Sequence, residues 1–344
     1  MLTETLRVHS DTAVIAEPGA VFRLADGAGR HCRSFMIANA NPGNGNANIS
    51  LRGGFWDANN AGNPRGTDYD PFAYTGVAVN FVNVKNLTVC DLTVHNPESF
   101  FIRVGEVCDF RIENITLSAD RTHINQDGVH VGGFSERGVI RGIRATAPGV
   151  PGDDLVALNA DDDVERQLNL GMRRGPIRNI LVEDLEAADA YTFLRLLSVG
   201  QPIEDITVRR LRGGCRVHGL NLNNWRFPKG VGAIRRVLIE DVELTKTQFR
   251  PQAPALIHIS LHVEDLAIHR FRRGVGTLPG VQTLLIDNRQ ALDMMLDGRT
   301  GQVEAAAGYV QAGGDIETLN LKQGLVEHHV PCRAPCSNRK AHNK

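Results

Sequence analysis

The chain has 344 residues, enough to bury a large core without disulfides or a structural metal. Its 38 Lys+Arg against 39 Asp+Glu leave a net charge of −1, which excludes the basic footprint of a nucleic-acid binder or of a protein drawn to an acidic membrane surface. Only 6% of residues are aromatic while glycine numbers 35, a composition that suits thin aliphatic coils with many corners better than a globular core.

From the N-terminus, Thr5 to Val8, Ala13 to Ile15 and Val21 to Leu24 read as short strands, broken by Ser10-Asp11 and Glu17-Pro18-Gly19. The first residues lack the charged-then-apolar form of a signal peptide and alternate like a strand at once. Location therefore stays open: secreted or periplasmic if a segment precedes Met1, otherwise cytoplasmic. No apolar run approaches membrane-spanning length. Asn39 to Asn48, rich in Asn, Gly and Pro, reads as a corner or protruding loop.

One pattern then returns along the chain, two alternating apolar positions followed by two polar residues and a third apolar one. It begins at Leu87, Phe110, Ile180, Ile206, Val237 and Leu266, with a degraded copy at Ile140-Arg141-Gly142-Ile143. Copies follow at steps of 23, 26, 31 and 29 residues, and the gap of 70 between Phe110 and Ile180 holds the degraded copy and a long loop. Strand alternation at that period marks a β-solenoid, whose repeats stack so that each coil touches only its neighbours. The expectation is an all-β chain, a single-stranded right-handed parallel β-helix over residues 1–325. The last strands are expected at Leu284 to Ile286 and Leu319 to Leu321, and a disordered tail at residues 326–344. Cys32, Cys90, Cys108 and Cys215 fall in apolar patterns and read as small buried thiols. Cys332 and Cys336 fall in the tail, and no metal site is assigned to them.

Equivalent positions of successive coils stack about 4.8 Å apart, so residues one coil apart become neighbours. Asn125-Gln126-Asp127-Gly128 and Gly152-Asp153-Asp154-Leu155 stand about one coil apart. Asp127, Asp153 and Asp154 should share one face, each motif beside a glycine that permits a sharp corner. Crowded carboxylates repel, so one should keep a proton near neutrality while a partner stays ionised. That is the acid and base pairing that glycosidic cleavage uses. Asx turns at solenoid corners are the bland alternative. His123 and His130 flank the first motif and read as corner or outward-facing residues. Asp161-Asp162-Asp163 reads as a solvated acidic loop, because the alternating ligand spacing of a calcium loop is missing.

Asn125-Gln126-Asp127-Gly128-Val129 resembles the Asn-Thr-Asp-Gly-Ile motif of the polygalacturonase family of glycoside hydrolases, family 28. Gly152-Asp153-Asp154-Leu155-Val156-Ala157 resembles its Gly-Asp-Asp-Cys-Ile-Ala motif, and Gly53-Gly54-Phe55-Trp56-Asp57 its Gly-Gly-x-x-Asp-Gly turn. The likeness runs over roughly residues 5 to 245 and implies a pectin lyase-like β-helix acting as an inverting glycoside hydrolase. By resemblance Asp153 would be the general acid, with Asp127 and Asp154 holding the attacking water. Two family motifs are absent. Tyr191-Thr192-Phe193 stands in place of Gly-His-Gly, and Asn221-Leu222-Asn223 in place of the Arg-Ile-Lys that grips a galacturonate carboxylate. Two neutral amides would bind a sugar carboxylate poorly.

Substrate binding is accordingly expected from Asn125, Arg195, His218, Asn221, Asn223 and Trp225, on a polysaccharide or oligosaccharide other than plain polygalacturonate. No cofactor, nucleic acid or membrane partner is expected, and the chain is read as a monomer. Two readings stand beside hydrolysis: a calcium-dependent polysaccharide lyase on the same scaffold, and a non-catalytic carbohydrate-binding solenoid.

Overall fold

The alternating segments fold as strands, and the strands make up the faces of a right-handed parallel β-helix. A computed structural model describes residues 1–67, 70, 72–145, 147–223, 231–288 and 308–332. Among the described residues there is no α-helix, only the short 3-10 turns Asn60–Gly62 and Gln167–Asn169.

Each coil contributes three strand segments, one per face. The stretch Val79–His95 shows all three: it pairs in parallel with Ile37–Asn39 at its start, with Asn46–Arg52 in its middle and with Phe55–Asp57 at its end. The repeated pattern occupies the middle face. Leu87, Phe110, Gly138, Ile180, Ile206, Val237 and Leu266 stand over one another in register. Two residues on, Val89, Ile112, Ile140, Val182, Val208, Ile239 and Ile268 form a continuous buried aliphatic column.

That register explains the degraded copy. Gly138, not Ile140, fills the first position, and the Phe110 ring of the coil beneath takes the missing volume. A Cβ on Gly138 would sit 2.1 Å from Phe110 Cζ. One large ring and one glycine replace two aliphatics, so the column stays filled while the sequence signal fades.

The corners carry a second ladder. Asp184, Arg210, Asp241 and Arg270 adopt the left-handed conformation, with φ of 57°, 58°, 57° and 55°. Non-glycine residues enter that region at a cost, and Asp or Asn most readily. Here alternating sign offsets it. Arg210 Nε donates to Asp184 at 2.7 Å, and Arg270 Nε donates to Asp241 at 2.6 Å. Beside the expected glycine and asparagine corners, this ladder is built from aspartate and arginine.

At the C-terminal end the direction reverses. Tyr309–Gln311 pairs antiparallel with Gln282–Ile286, and Ile316–Lys322 pairs antiparallel with Asp265–Arg273, so the stack ends in a covering layer. Leu325–Pro331 then pairs with Ile316–Lys322. The tail expected from residue 326 is corrected by this strand. Its Glu327-His328-His329 run hid the alternation, and the same polar residues with Pro331 suit an edge that should not recruit another chain. Residues 333–344, with Cys336, lie outside the described residues. Cys32, Cys90 and Cys215 are buried, but Cys108 is half-buried beside Arg137 and Asp109 rather than in the core.

The Gly138–Phe110 pair gives a test of the column. Gly138→Ala should lower stability by roughly 1–3 kcal/mol through overpacking. Adding Phe110→Leu should recover part of that loss, read as the urea midpoint of each single variant and of the pair.

Candidate active site

The cleft lies on the face formed by Val129–Gly132, Asp154–Asn159, the end of Ile177–Leu197, the end of Ile203–Asn223 and Ala255–Ile259. Its volume is about 520 Å³. Val129 stands opposite Val156, a step of 27 residues, and Gly128 N–H donates to Asp154 O at 2.8 Å. The cross-coil neighbour of Asp127 is therefore Asp154, with Asp153 one residue off that register. All three still converge, each offering an oxygen within 4.8 Å of the others.

The glycines beside them act by closeness, not by left-handed backbone. Neither Gly128 nor Gly152 has a positive φ. A Cβ on Gly128 would meet Leu117 Cδ1 and Leu155 O at 2.5 Å, and one on Gly152 would meet His123 O at 2.2 Å. The left-handed corner is Asn125, with φ of 58°. Its backbone N–H donates to Asp153 Oδ2 at 3.0 Å, and its side-chain oxygen accepts from Arg166 at 2.8 Å.

Two cations offset the crowded acids. His130 is buried, donating from Nδ1 to Asp127 Oδ2 at 2.7 Å and from Nε2 to Asp162 Oδ2 at 2.8 Å, with its ring stacked on Phe100 at 4.1 Å. Burial opposes its charge, but Asp162 and Asp127 outweigh burial and push its pKa up to about 10. Arg195 Nη1 lies 3.6 Å from Asp154 Oδ2. Burial, then the charge of Asp127, raises Asp153 to about 6, with Arg195 acting the other way. Burial and Asp153 raise Asp154 well above the usual carboxylate range. The pair thus shares a proton near neutrality. The three oxygens are close enough to share a cation, but His130 and Arg195 already supply positive charge there.

His130 was expected at a corner or facing outward and is instead the central strut of the site. Its position five residues past the left-handed Asn125 gave no sign of that. The expected solvated loop at Asp161-Asp162-Asp163 is also corrected. Asp161 is buried and accepts backbone N–H bonds from Val199, Gly200 and Gln201 at 2.6, 2.9 and 2.8 Å, while Asp162 is the second partner of His130. A run of acids reads as solvated unless the donors that would bury it are visible, and these come from a segment 38 to 40 residues away. Beneath the loop, buried Arg103 donates to Asn80 Oδ1 at 2.7 Å, to Leu168 O and to Leu170 O at 3.3 Å.

Of the expected binding residues, Asn125, Arg195, His218, Asn221 and Asn223 all line the cleft. Trp225 lies outside the described residues. Thr192, where the family has histidine, stands next to Asp154 in register, while Phe193 points into the core. His218 donates from Nδ1 to Ala255 O at 3.1 Å and stacks on His258 at 5.1 Å. Burial, then His258, pushes it down to about 3, so it stays neutral. His123 pairs with Glu98 at 3.3 Å, off the cleft lining. Sequence reasoning missed Asn159, Arg166, Tyr191 and Arg250 as lining residues.

The family model for glycosyl hydrolases family 28 matches residues 8–169, which include both acidic motifs. An exopolygalacturonase of Platanus acerifolia is 29% identical over 105 residues, 30% of this chain and 26% of that enzyme, so the match spans about a quarter of the curated relative. Among solved structures, a hyperthermoactive exopolygalacturonase from Thermotoga maritima aligns with a TM-score of 0.53 at 14% identity, covering 83% of this chain and 79% of that one. A family 28 exopolygalacturonase of Yersinia enterocolitica aligns with a TM-score of 0.44 at 14% identity, covering 76% and 66%. Over residues 8–169 the chain is thus similar to glycosyl hydrolases family 28, and its fold is that of the Thermotoga maritima exopolygalacturonase.

Proposed function

We propose that this chain is an inverting glycoside hydrolase that cleaves O-glycosidic bonds in a pectin-like or other polysaccharide. The observation that carries this reading is the convergence of Asp127, Asp153 and Asp154 to within 4.8 Å in one cleft, where burial and neighbouring carboxylates raise the pKa of Asp153 and Asp154.

Asp153 is the general acid in this proposal. Asp153 and Asp154 both line the cleft, but Asp154 is buried and Asp153 half-buried. Its raised pKa keeps a proton available for the leaving oxygen at mildly acidic pH. Asp127 and Asp154 hold the attacking water, Asp127 being oriented by the imidazolium of His130. The oxygens approach more closely than the roughly 6.5–9.5 Å common between inverting carboxylates, so inversion is assigned from the family likeness. The same compensated charge makes a calcium-dependent lyase the weaker reading, since such an ion would compete with His130 and Arg195.

Asp153→Asn should lower kcat by roughly 10²–10⁴-fold, read as reducing-end release across a panel of plant and microbial glycans. Normal turnover in this variant would remove Asp153 from the role of acid. Proton NMR of the first-formed product should show the inverted anomer, and retention would reassign one carboxylate as a nucleophile.

The pH dependence has a fixed sign. A general acid works when protonated, so activity should fall as pH rises through about 6, the value to which Asp153 is raised. Arg195 holds the pair down, so Arg195→Gln should move this basic limb to higher pH. A limb that stays in place, or moves down, would mean that the Asp153–Asp154 pair does not control it.

A further inference from the structure

Beyond the carboxylates, the cleft continues along two rows of the parallel ladder. One runs Ala157, Arg195, Asn221 and His258 across successive coils, the other Asn159, Leu197 and Asn223. Asn159, Asn221 and Asn223 line the cleft at 5%, 7% and 6% exposure, and the side-chain oxygen of each is buried with no hydrogen-bond partner. Buried carbonyl oxygens are rarely left unpaired, and three on one wall of one cleft are a demand for donors.

The orientation of one of them is fixed. Asn159 Nδ2 donates to Asp162 Oδ1 at 3.4 Å, so the oxygen is the atom left over. Asn221 and Asn223 are neutral amides whichever way they are turned. The nearby cation leans toward the acids, Arg195 Nη1 lying 3.6 Å from Asp154 Oδ2, while its buried Nε is a donor with no hydrogen-bond partner. A sugar carboxylate placed here would set further acceptors against the carbonyl oxygens and the acids of the site. A sugar hydroxyl brings the missing donor and can also accept from an amide N–H.

We propose that Asn159, Asn221 and Asn223 form a hydroxyl-reading subsite, and that the sugar held beside the carboxylates is neutral, with a hydroxymethyl group or hydrogen where a uronate would carry its carboxylate. This deepens the hydrolase reading by naming its substrate class, yet it concerns recognition and is tested by binding.

The probes are a galacturonate trisaccharide and its carboxyl-reduced form, which differ only in carboxylate against hydroxymethyl, titrated calorimetrically into the full chain. The reduced sugar should bind at least about tenfold more tightly, the acidic one gaining in neither affinity nor heat. Asn221→Ala should weaken the reduced sugar by roughly tenfold and leave the acidic one unchanged. The double variant N221R/N223K should reverse the preference, and matching thermal unfolding midpoints exclude a folding defect in either protein. Equal or tighter binding of the acidic sugar by the wild type, an unchanged ratio in Asn221→Ala, or binding of neither sugar would each overturn the subsite. Preference for the reduced sugar without release of reducing ends would leave the subsite standing and remove the hydrolase.

Discussion

Parallel stacking sets the terms for everything else in this molecule. Because each coil repeats the path of the one beneath, a residue meets its own structural equivalent about 4.8 Å away rather than a complementary partner. Apolar positions gain from this, and the interior columns from Val89 to Ile268 need nothing more. Charged positions lose unless sign alternates or a counter-charge is brought in. The corners take the first course, Asp184, Arg210, Asp241 and Arg270 alternating up the stack. The outer face takes the second: buried Glu183 is held among Arg141, Arg209 and Arg210, and these arginines draw its pKa down against the effect of burial.

The cleft is where the rule is broken, and the break has visible supports. Three carboxylates occupy neighbouring places on two coils, a conflict that burial deepens. His130 and Arg195 supply the opposing charge, and each is held from further out. His130 is pinned by Asp162, whose loop is tied down through Asp161 to the backbone of Val199 to Gln201. Local charge conflict kept in place by remote ties is the usual mark of a site kept for chemistry rather than for stability.

The solenoid was readable because its signal is periodic, and a period survives the loss of single copies. What failed to read were places where one residue compensates another across a coil. Gly138 looked like a lapse in the pattern until Phe110 was seen beneath it. The three acids were legible as a cluster, since one coil of spacing suffices to predict proximity, but a step of 27 rather than 26 decides that Asp154 and not Asp153 faces Asp127. Asp162 and His130 escaped because partnership at 32 residues through a loop has no period at all. The C-terminal strand escaped because an edge strand is made polar for the very reason that it is an edge.

The replacement of a cationic pair by Asn221 and Asn223 fits the same stacking constraint. Arg195, Asn221 and His258 occupy one row on three successive coils. A cation at 221 would sit directly between the Arg195 guanidinium and the His258 imidazole, and within reach of His218, which stacks on His258 and is already kept unprotonated by burial and by these neighbours. Asn221 separates the Arg195 guanidinium from the His258 imidazole in this row. Cations placed here would instead call for a substrate carboxylate to balance the row, which the present sequence leaves neutral at this point. A wall of neutral amides needs no such balance, and it leaves Arg195 for Asp154.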